Sequence, residues 1–456
     1  MQLAPAVNDF VTSRLPPAVH TFLASPAVRD FQAWLTKPPF GPLNAVHEAR
    51  LRGREWNRWA QPAYTLASLP LLLQGYLIVK PGTRPQRATL GVLGLAMYIP
   101  CWLEFRISDP GFNMANAGLT LYAFFVVAKY LEWSCLVGPL VDPRLLHNPA
   151  PTAKTRFLSA LDLTTNFRNV GLGSIGLDHS LGPRNSKLKD YHYAHPRWRP
   201  RGPLGTVMRH VWAAVWRYAF ADVVLAFMRT LGEDTLCAPG GHPNSIDAFI
   251  SQWEGPQRIA AVIFATGLMA TVTALYLGAA HHTIAAISVS TLYETSAWDF
   301  PIFNSPLLST SINEMWSRRW QQVIRHYMAV QSMMVMAVLP RFLRGRVTYM
   351  LLVFHFSGLL HIIGHLGMEP VPDLFRIYAF FMVSGFGCVA ERAFRSITGR
   401  RVRGVVGWIW TWTFLITSGR LISDAWLDVG FPVLYTRAPR LGLGDALVTA
   451  IGLTPK

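Results

Sequence analysis

The sequence predicts an all-α protein embedded in a membrane, with roughly nine transmembrane helices. Three observations carry that expectation. Hydrophobic residues make up 51% of the 456 and charged residues only 15%, against about 25% charged in a soluble domain. The apolar residues fall in blocks of about 18 to 25, the length that crosses a bilayer. The 42 basic residues outnumber the 25 acidic ones and gather in short loops beside those blocks.

Taken in order, the blocks place spans at 59–79, 88–105, 115–141, 207–231, 258–280, 326–342, 347–366, 375–394 and 402–421, with room for a further pass near the C-terminus. The apolar stretch 258–292 exceeds one untilted span, so a bend or two short passes are expected there. Residues 1–58 form an N-terminal cytosolic or interfacial segment, and 59–456 the integral membrane domain. The first thirty residues lack a basic head followed by an apolar core, so no cleavable signal peptide is expected.

The formal net charge is +17 and the pI about 10.1. The positive-inside rule accounts for this balance better than nucleic-acid binding does, because the arginines sit beside spans. Arg341, Arg344 and Arg346 precede one span, and Arg392, Arg395, Arg400, Arg401 and Arg403 follow the next pair. An acidic turn, 367–373, lies between. The hairpin 347–394 is therefore predicted to have both ends in the cytosol and its tip in the lumen. The same rule puts 184–201 in the cytosol and 232–257 in the lumen. It fails twice: basic residues flank the first span on both sides, and 318–325 and 341–346 flank another. One of these segments is then re-entrant or interfacial. The four cysteines show no CxxC spacing, and three lie in spans as small hydrophobes, which predicts neither a disulfide framework nor a metal site.

Ionisable groups at membrane depth are expensive, and each is a functional-site hypothesis. Within 347–366 runs Phe354-His355-Phe356-Ser357-Gly358-Leu359-Leu360-His361. Histidine is the ionisable side chain that moves a proton near neutral pH, so His361 is the candidate catalytic residue. The competing reading is a histidine satisfied by a helix carbonyl.

Residues 298–320 carry further polar information. Prolines keep the first half extended. Ser311 has N-cap character, with Glu314 at capping-box spacing. The helix that follows would put Trp316 and Trp320 on one face, with Arg318 and Arg319 beside them. Two readings stand: an interfacial helix with an aromatic belt and snorkelling arginines, or a site for an anionic ligand gripped by guanidinium forks. Residues 164–173 hold glycines in no dinucleotide-binding pattern, and a loop turn is expected there.

The order Pro301, Phe303, Ser305, Pro306, Ser311, Trp316, Arg319, Trp320, then Ser357-Gly358-Leu359-Leu360-His361, resembles the wax-synthase-like branch of the membrane-bound O-acyltransferase superfamily. The motifs cover 298–366, and the resemblance extends in motif order over roughly 164–421. Arg168–Gly173 resembles that branch's Arg-Gly-x-Gly-Trp motif, with Asn169 for glycine and Leu172 for tryptophan. Gln321 stands where the branch often has histidine. The resemblance implies transfer of an acyl group from acyl-CoA to a hydroxyl, with His361 catalytic. The candidate substrate-binding residues within these motifs are Arg318, Arg319, Trp316, Trp320, Asn304 and Ser357. No cofactor or metal is implied, since acyl-CoA is a co-substrate. The implied partners are acyl-CoA, a hydrophobic alcohol and the bilayer. The fragmentary Arg-Gly motif and the single compact domain liken the chain to fungal natural-product acetyltransferases acting on terpenoid alcohols in the endoplasmic reticulum, with a long-chain wax ester synthase as the alternative.

The chemistry fits on its own terms. Ester formation from a thioester needs a deprotonated hydroxyl, and a neutral imidazole at membrane depth can take that proton. The thioester oxygen needs a hydrogen-bond donor, for which Asn304 is a candidate by type. Two rivals come from other classes. A di-iron hydroxylase or desaturase would use His361 and His365 with His281 and His282, but the chain has no HxxHH box. A transporter would use the histidines as a proton relay, and no internal repeat supports it.

Overall fold

The computed structural model describes residues 48–109, 112–136, 140–141, 151–165, 173–174, 203–232, 234–238, 241–242, 244–292, 298, 302–321, 323–430 and 442–453. Every one of the nine apolar blocks coincides with a helix: α1 (Ala60–Leu77), α2 (Arg84–Glu104), α3 (Asn113–Cys135), α5 (Pro203–Leu231), α7 (Gly255–Leu292), α9 (Arg325–Val338), α10 (Arg346–His365), α11 (Leu374–Thr398) and α12 (Gly404–Leu427). Shorter helices are α4 (Ala153–Thr165), α6 (Ser245–Ile250), α8 (Ile312–Glu314) and α13 (Leu443–Ala450). Two-residue strands pair β1 (Arg54–Glu55) in parallel with β2 (Phe105–Arg106), and β3 (Leu140–Val141) antiparallel with β4 (Gly173–Ser174). Among the described residues, four helices are long and apolar enough to cross a membrane: α5, α7, α10 and α11. The predicted turn at 164–173 and the basic loop 184–201 lie largely outside the described residues.

The helices pack in three groups. In the first, α1, α2, α3 and α4 enclose a core around Leu71, Tyr98, Tyr130 and Trp133. Helix ends leave carbonyls without intrahelical partners, and here basic side chains satisfy them. Lys129 Nζ donates to the Leu163 and Thr164 carbonyls at the end of α4, and Arg87 to the Trp133 and Leu136 carbonyls at the end of α3. In the second group α5 lies along α7, with α13 strapped across α5 by an Arg229–Asp445 ion pair of 2.5 Å. The third group is α8–α12, which carries His361.

Two expectations are corrected. The stretch 258–292 is not two short passes but part of one uninterrupted helix, Gly255–Leu292, of 38 residues, about 57 Å of rise, because no proline or glycine pair interrupts its backbone ladder there. Helix α9 has only 14 residues, about 21 Å, too short to cross the hydrocarbon core. Its early residues Tyr327 and Met328 share a cluster with Leu360, deep on α10, and seven residues join its end to the start of α10. The segment before α10 therefore leaves from the end of the bundle at which it entered. The opposed basic clusters 318–325 and 341–346 thus do not require a crossing between them. At the first span, two of the arginines that break the charge rule are held by partners: Arg54 by Glu104 at 2.7 Å, and Arg87 by the Trp133 and Leu136 carbonyls.

Candidate active site

His361 lies on the fourth turn of α10, facing α11. Its Nδ1 donates to the Ser357 carbonyl at 2.7 Å. A carbonyl only accepts, so the proton of the neutral ring sits on Nδ1 and Nε2 keeps its lone pair. The Phe381 ring stacks on the imidazole with centroids 4.2 Å apart, and Nε2 makes no hydrogen bond among the described residues. His365, one turn on, is different. Its Nδ1 donates to the His361 carbonyl at 2.5 Å, and its Nε2 accepts from Trp426 Nε1 at 2.7 Å. Both of its nitrogens are engaged, which removes it as a base and as a metal ligand. Among the described residues no three His, Cys, Asp or Glu side chains converge on a common point as metal ligands would.

The 302–320 segment reaches the same place. Ser311 is the N-cap of α8: its Oγ accepts from the Glu314 N–H at 3.0 Å. Glu314 reaches back to the Thr310 N–H at 2.9 Å rather than to that of Ser311. The amides of Ile312 and Asn313, orphaned at the helix start, donate to the Glu391 carboxylate of α11 at 2.7 and 3.0 Å. Trp410 Nε1 of α12 donates to the same carboxylate at 3.1 Å. Trp408 and Trp412 donate to the Leu307 carbonyl at 2.9 and 3.3 Å. The fit is close: a side chain at Gly407 would strike the Thr310 carbonyl, and one at Gly387 would meet Ile312 Cδ1 at 2.9 Å.

From Glu391 the chain descends. Met315–Arg319 form a π-helical turn, closed by the Trp320 N–H on the Met315 carbonyl at 2.8 Å. The expected α-helical turn that would put Trp316 and Trp320 on one face is thereby corrected to a π-helical one. One extra residue in the turn and an extended Trp320 set their rings edge to face, 6.3 Å apart, with Trp320 turned onto Phe303 at 5.0 Å. Trp316 packs on Phe354, Phe380 and Phe381 at 6.1, 5.8 and 6.5 Å. Phe381 lies ten residues from Glu391, about 15 Å along α11. One ring thus joins Trp316 to His361. The Trp316 Nε1–H is buried and has no hydrogen-bond partner.

The predicted binding residues divide. Arg319 is engaged by the fold: its guanidinium pairs with Glu314 at 2.8 Å and donates to the carbonyls of Asn304 and Ser305 at 3.3 and 3.2 Å. Arg318 is exposed and makes no ion pair among the described residues. Asn304 is held by its backbone, its N–H on the Arg319 carbonyl at 2.8 Å, and no hydrogen bond joins its amide to His361. Ser357 contributes its carbonyl. Sequence reasoning missed Glu391, Phe381 and the four tryptophans of α12, Trp408, Trp410, Trp412 and Trp426. For Glu391 a signal existed, since it is the one carboxylate inside the 375–394 span. A further pair, His326 Nε2 and Glu132 Oε1 at 2.9 Å, lies between α9 and α3.

Comparison with known proteins follows the same segment. Residues 298–383 match the Membrane bound O-acyl transferase family. The chain is similar to a long-chain-alcohol O-fatty-acyltransferase of Simmondsia chinensis, 28% identical over 161 residues, which is 32% of this chain and 46% of that protein. Two probable long-chain-alcohol O-fatty-acyltransferases of Arabidopsis thaliana, numbered 1 and 2, are 27% and 31% identical over 132 and 129 residues. Those alignments take in 25% and 26% of this chain and 38% and 37% of the relatives. The chain thus spans less than half the length of the curated relatives it matches. The family match covers both Trp316 and His361.

Proposed function

We propose that the protein is a membrane-bound O-acyltransferase that moves an acyl group from acyl-CoA to the hydroxyl of a hydrophobic alcohol. The observation that carries this reading is the contrast between two histidines on one helix face. His361 keeps a free Nε2 beside an aromatic wall, whereas His365 has both nitrogens engaged.

In the proposed reaction Nε2 of His361 takes the hydroxyl proton as the alcohol oxygen attacks the thioester carbonyl. The C–S bond breaks, and the proton passes to the leaving thiolate, giving ester and free CoA. The Ser357 carbonyl holds the imidazole in the tautomer this requires. The developing oxyanion needs a donor. The unpartnered indole N–H of Trp316 meets that need better than Asn304, which no contact brings to His361. Arg318 faces the CoA phosphates at the cytosolic surface, and Arg319 shapes the segment that carries Trp316. The ring of aromatic side chains excludes water, which protects the thioester from hydrolysis. The alcohol arrives through the bilayer of the endoplasmic reticulum.

For the substrates, the fragmentary Arg-Gly motif, with Asn169 and Leu172 in it, favours acetyl transfer to a terpenoid alcohol. The names of the three relatives favour a second reading, a long-chain acyl group passed to a long-chain alcohol. Incubating membranes that contain the protein with acyl-CoAs from acetyl to stearoyl, against terpenoid and fatty alcohols, tests both. Ester and free CoA formed in equal amounts are expected. No ester from any pair would overturn the proposal.

A further inference from the structure

The helix that carries His361 holds a further histidine that the proposed chemistry does not use. His355 Nδ1 and the Tyr378 hydroxyl of α11 are hydrogen-bonded at 2.7 Å. No other hydrogen bond engages either side chain among the described residues. The bond has two forms. When the tyrosine donates, its oxygen still accepts and the Nε2–H of His355 is a spare donor. When Nδ1 donates, the tyrosine O–H is the spare donor and Nε2 the spare acceptor. Both forms offer one donor and one acceptor beyond the pair. A hydroxyl group, which both donates and accepts, complements that set.

The pair sits on the outer rim of the seam between α10 and α11. Leu351, His355 and Leu359, at four-residue steps on α10, are all half-buried, whereas Phe354, Ser357 and Gly358 on the inner side are buried. On α11, Tyr378 and Met382 are half-buried, and Phe386, next on the same stripe, is 55% exposed. Both helices are long and apolar enough to cross a membrane, so this flank meets lipid, and a molecule in the bilayer reaches the pair without entering a cavity. An ionisable side chain at that depth is expensive and is a candidate site. The Tyr378 ring also covers Gly358, where a Cβ would lie 2.7 Å from it. Gly358 is three residues before His361, and Phe381, three residues after Tyr378, stacks on the His361 ring. Tyr378 therefore stands between the lipid flank and His361.

We propose that the His355–Tyr378 pair is the docking point for the hydroxyl of the acceptor alcohol as it enters from the bilayer between α10 and α11. The proposal rests on the acyl-transfer reading for the identity of that alcohol. A hydroxyl in hydrocarbon has no hydrogen-bond partner, and the pair supplies one at the flank. Six residues, about 9 Å along α10, then separate it from His361. The ester product has no O–H to donate, so it satisfies only half of the pair and leaves more readily than the alcohol.

The test is photolabelling of the full chain in phosphatidylcholine nanodiscs, without acyl-CoA, by photoactivatable analogues of hexadecanol and farnesol and by their methyl ethers. At least one alcohol should label 351–386 about threefold to tenfold more than its ether, the gain that a hydrogen bond within a membrane confers. Tyr378→Phe keeps the ring over Gly358 and removes the hydroxyl, and should bring alcohol labelling down to the ether level. His355→Leu, an apolar change that a span accepts, should do the same and serves if Tyr378→Phe does not fold. In turnover, Tyr378→Phe should raise the KM for the alcohol by a similar factor, with kcat and the KM for acyl-CoA within about twofold. A fall in stability and kcat with the alcohol KM unmoved would make the bond a staple between helices and overturn the proposal. Equal labelling by each alcohol and its ether, or an undiminished preference in Tyr378→Phe, would also overturn it. Labelling needs no acyl-CoA, so selective labelling without ester formation would support the docking point and overturn the acyl-transfer reading alone.

Discussion

Glu391→Ala is the substitution that probes most sharply how the 302–320 segment is held. The carboxylate accepts from two backbone amides at the start of α8 and from the Trp410 indole. Hydrogen bonds to a charged group contribute about 1.5 to 3 kcal/mol each, and donors left buried without a partner add to the loss. Water entering the space would recover part of this, so a net loss of about 3 kcal/mol is expected for the seating of the segment. At 1.4 kcal/mol per factor of ten, the seated form becomes about a hundredfold less favoured relative to the released one. Helices α10–α12 hold Phe381 and His361 by their own packing, so insertion and folded yield should survive. Turnover should fall, since Trp316 no longer packs on Phe381. Glu391→Gln keeps one accepting oxygen and should lie between the two. The assay is ester formation in purified membranes alongside limited proteolysis at 302–320. Wild-type turnover and protection in Glu391→Ala would refute the reasoning.

Four further outcomes are expected. His365→Ala should lower stability by about 1 to 3 kcal/mol, through the unpaired Trp426 indole, while turnover per folded molecule stays within a few-fold; a dead but folded variant would show that His365 takes part in the chemistry. Arg318→Ala should raise the KM for acyl-CoA with little change in kcat, as removal of uniform binding does. Arg319→Ala should instead lower thermal stability and kcat together, because it opens the Glu314–Asn304 clasp, and a pure KM effect would contradict that role. Trp316→Phe keeps the ring stack and removes the N–H; kcat should drop about a hundredfold with KM unchanged, and an unchanged kcat would assign the oxyanion donor elsewhere.

Local pattern made much of this molecule legible. Apolar block length located nine helices among the described residues, four of them long and apolar enough to cross a membrane, and the Ser311–Glu314 spacing located a cap that the structure contains. The positive-inside rule flagged the segment around Arg318–Arg325 as anomalous before its short helix was known. What stayed hidden depends on contacts distant in sequence. Glu391 meets Ile312 across 79 positions, and Trp408 meets Leu307 across 101. No periodicity marks which of two adjacent arginines faces inward, yet Arg319 is tied to Glu314 while Arg318 is not. The π-helical turn was equally invisible, because Trp316 and Trp320 have ordinary α-helical spacing. A one-residue expansion of the turn sets their rings edge to face, with Trp316 also packed against Phe381. His361 and His365 look equivalent at four-residue spacing. Only Trp426, 61 positions beyond His365, distinguishes them.

The most direct test of the account is the turnover of His361→Ala beside His365→Ala in the same membranes. A positioned base contributes about a hundred- to ten-thousandfold in rate. His361→Ala also removes a polar group from a span and should insert as well as wild type. The account predicts full-length, membrane-inserted His361→Ala with ester formation reduced by at least a hundredfold, and His365→Ala within a few-fold of wild type. Near-normal turnover by inserted His361→Ala would contradict it.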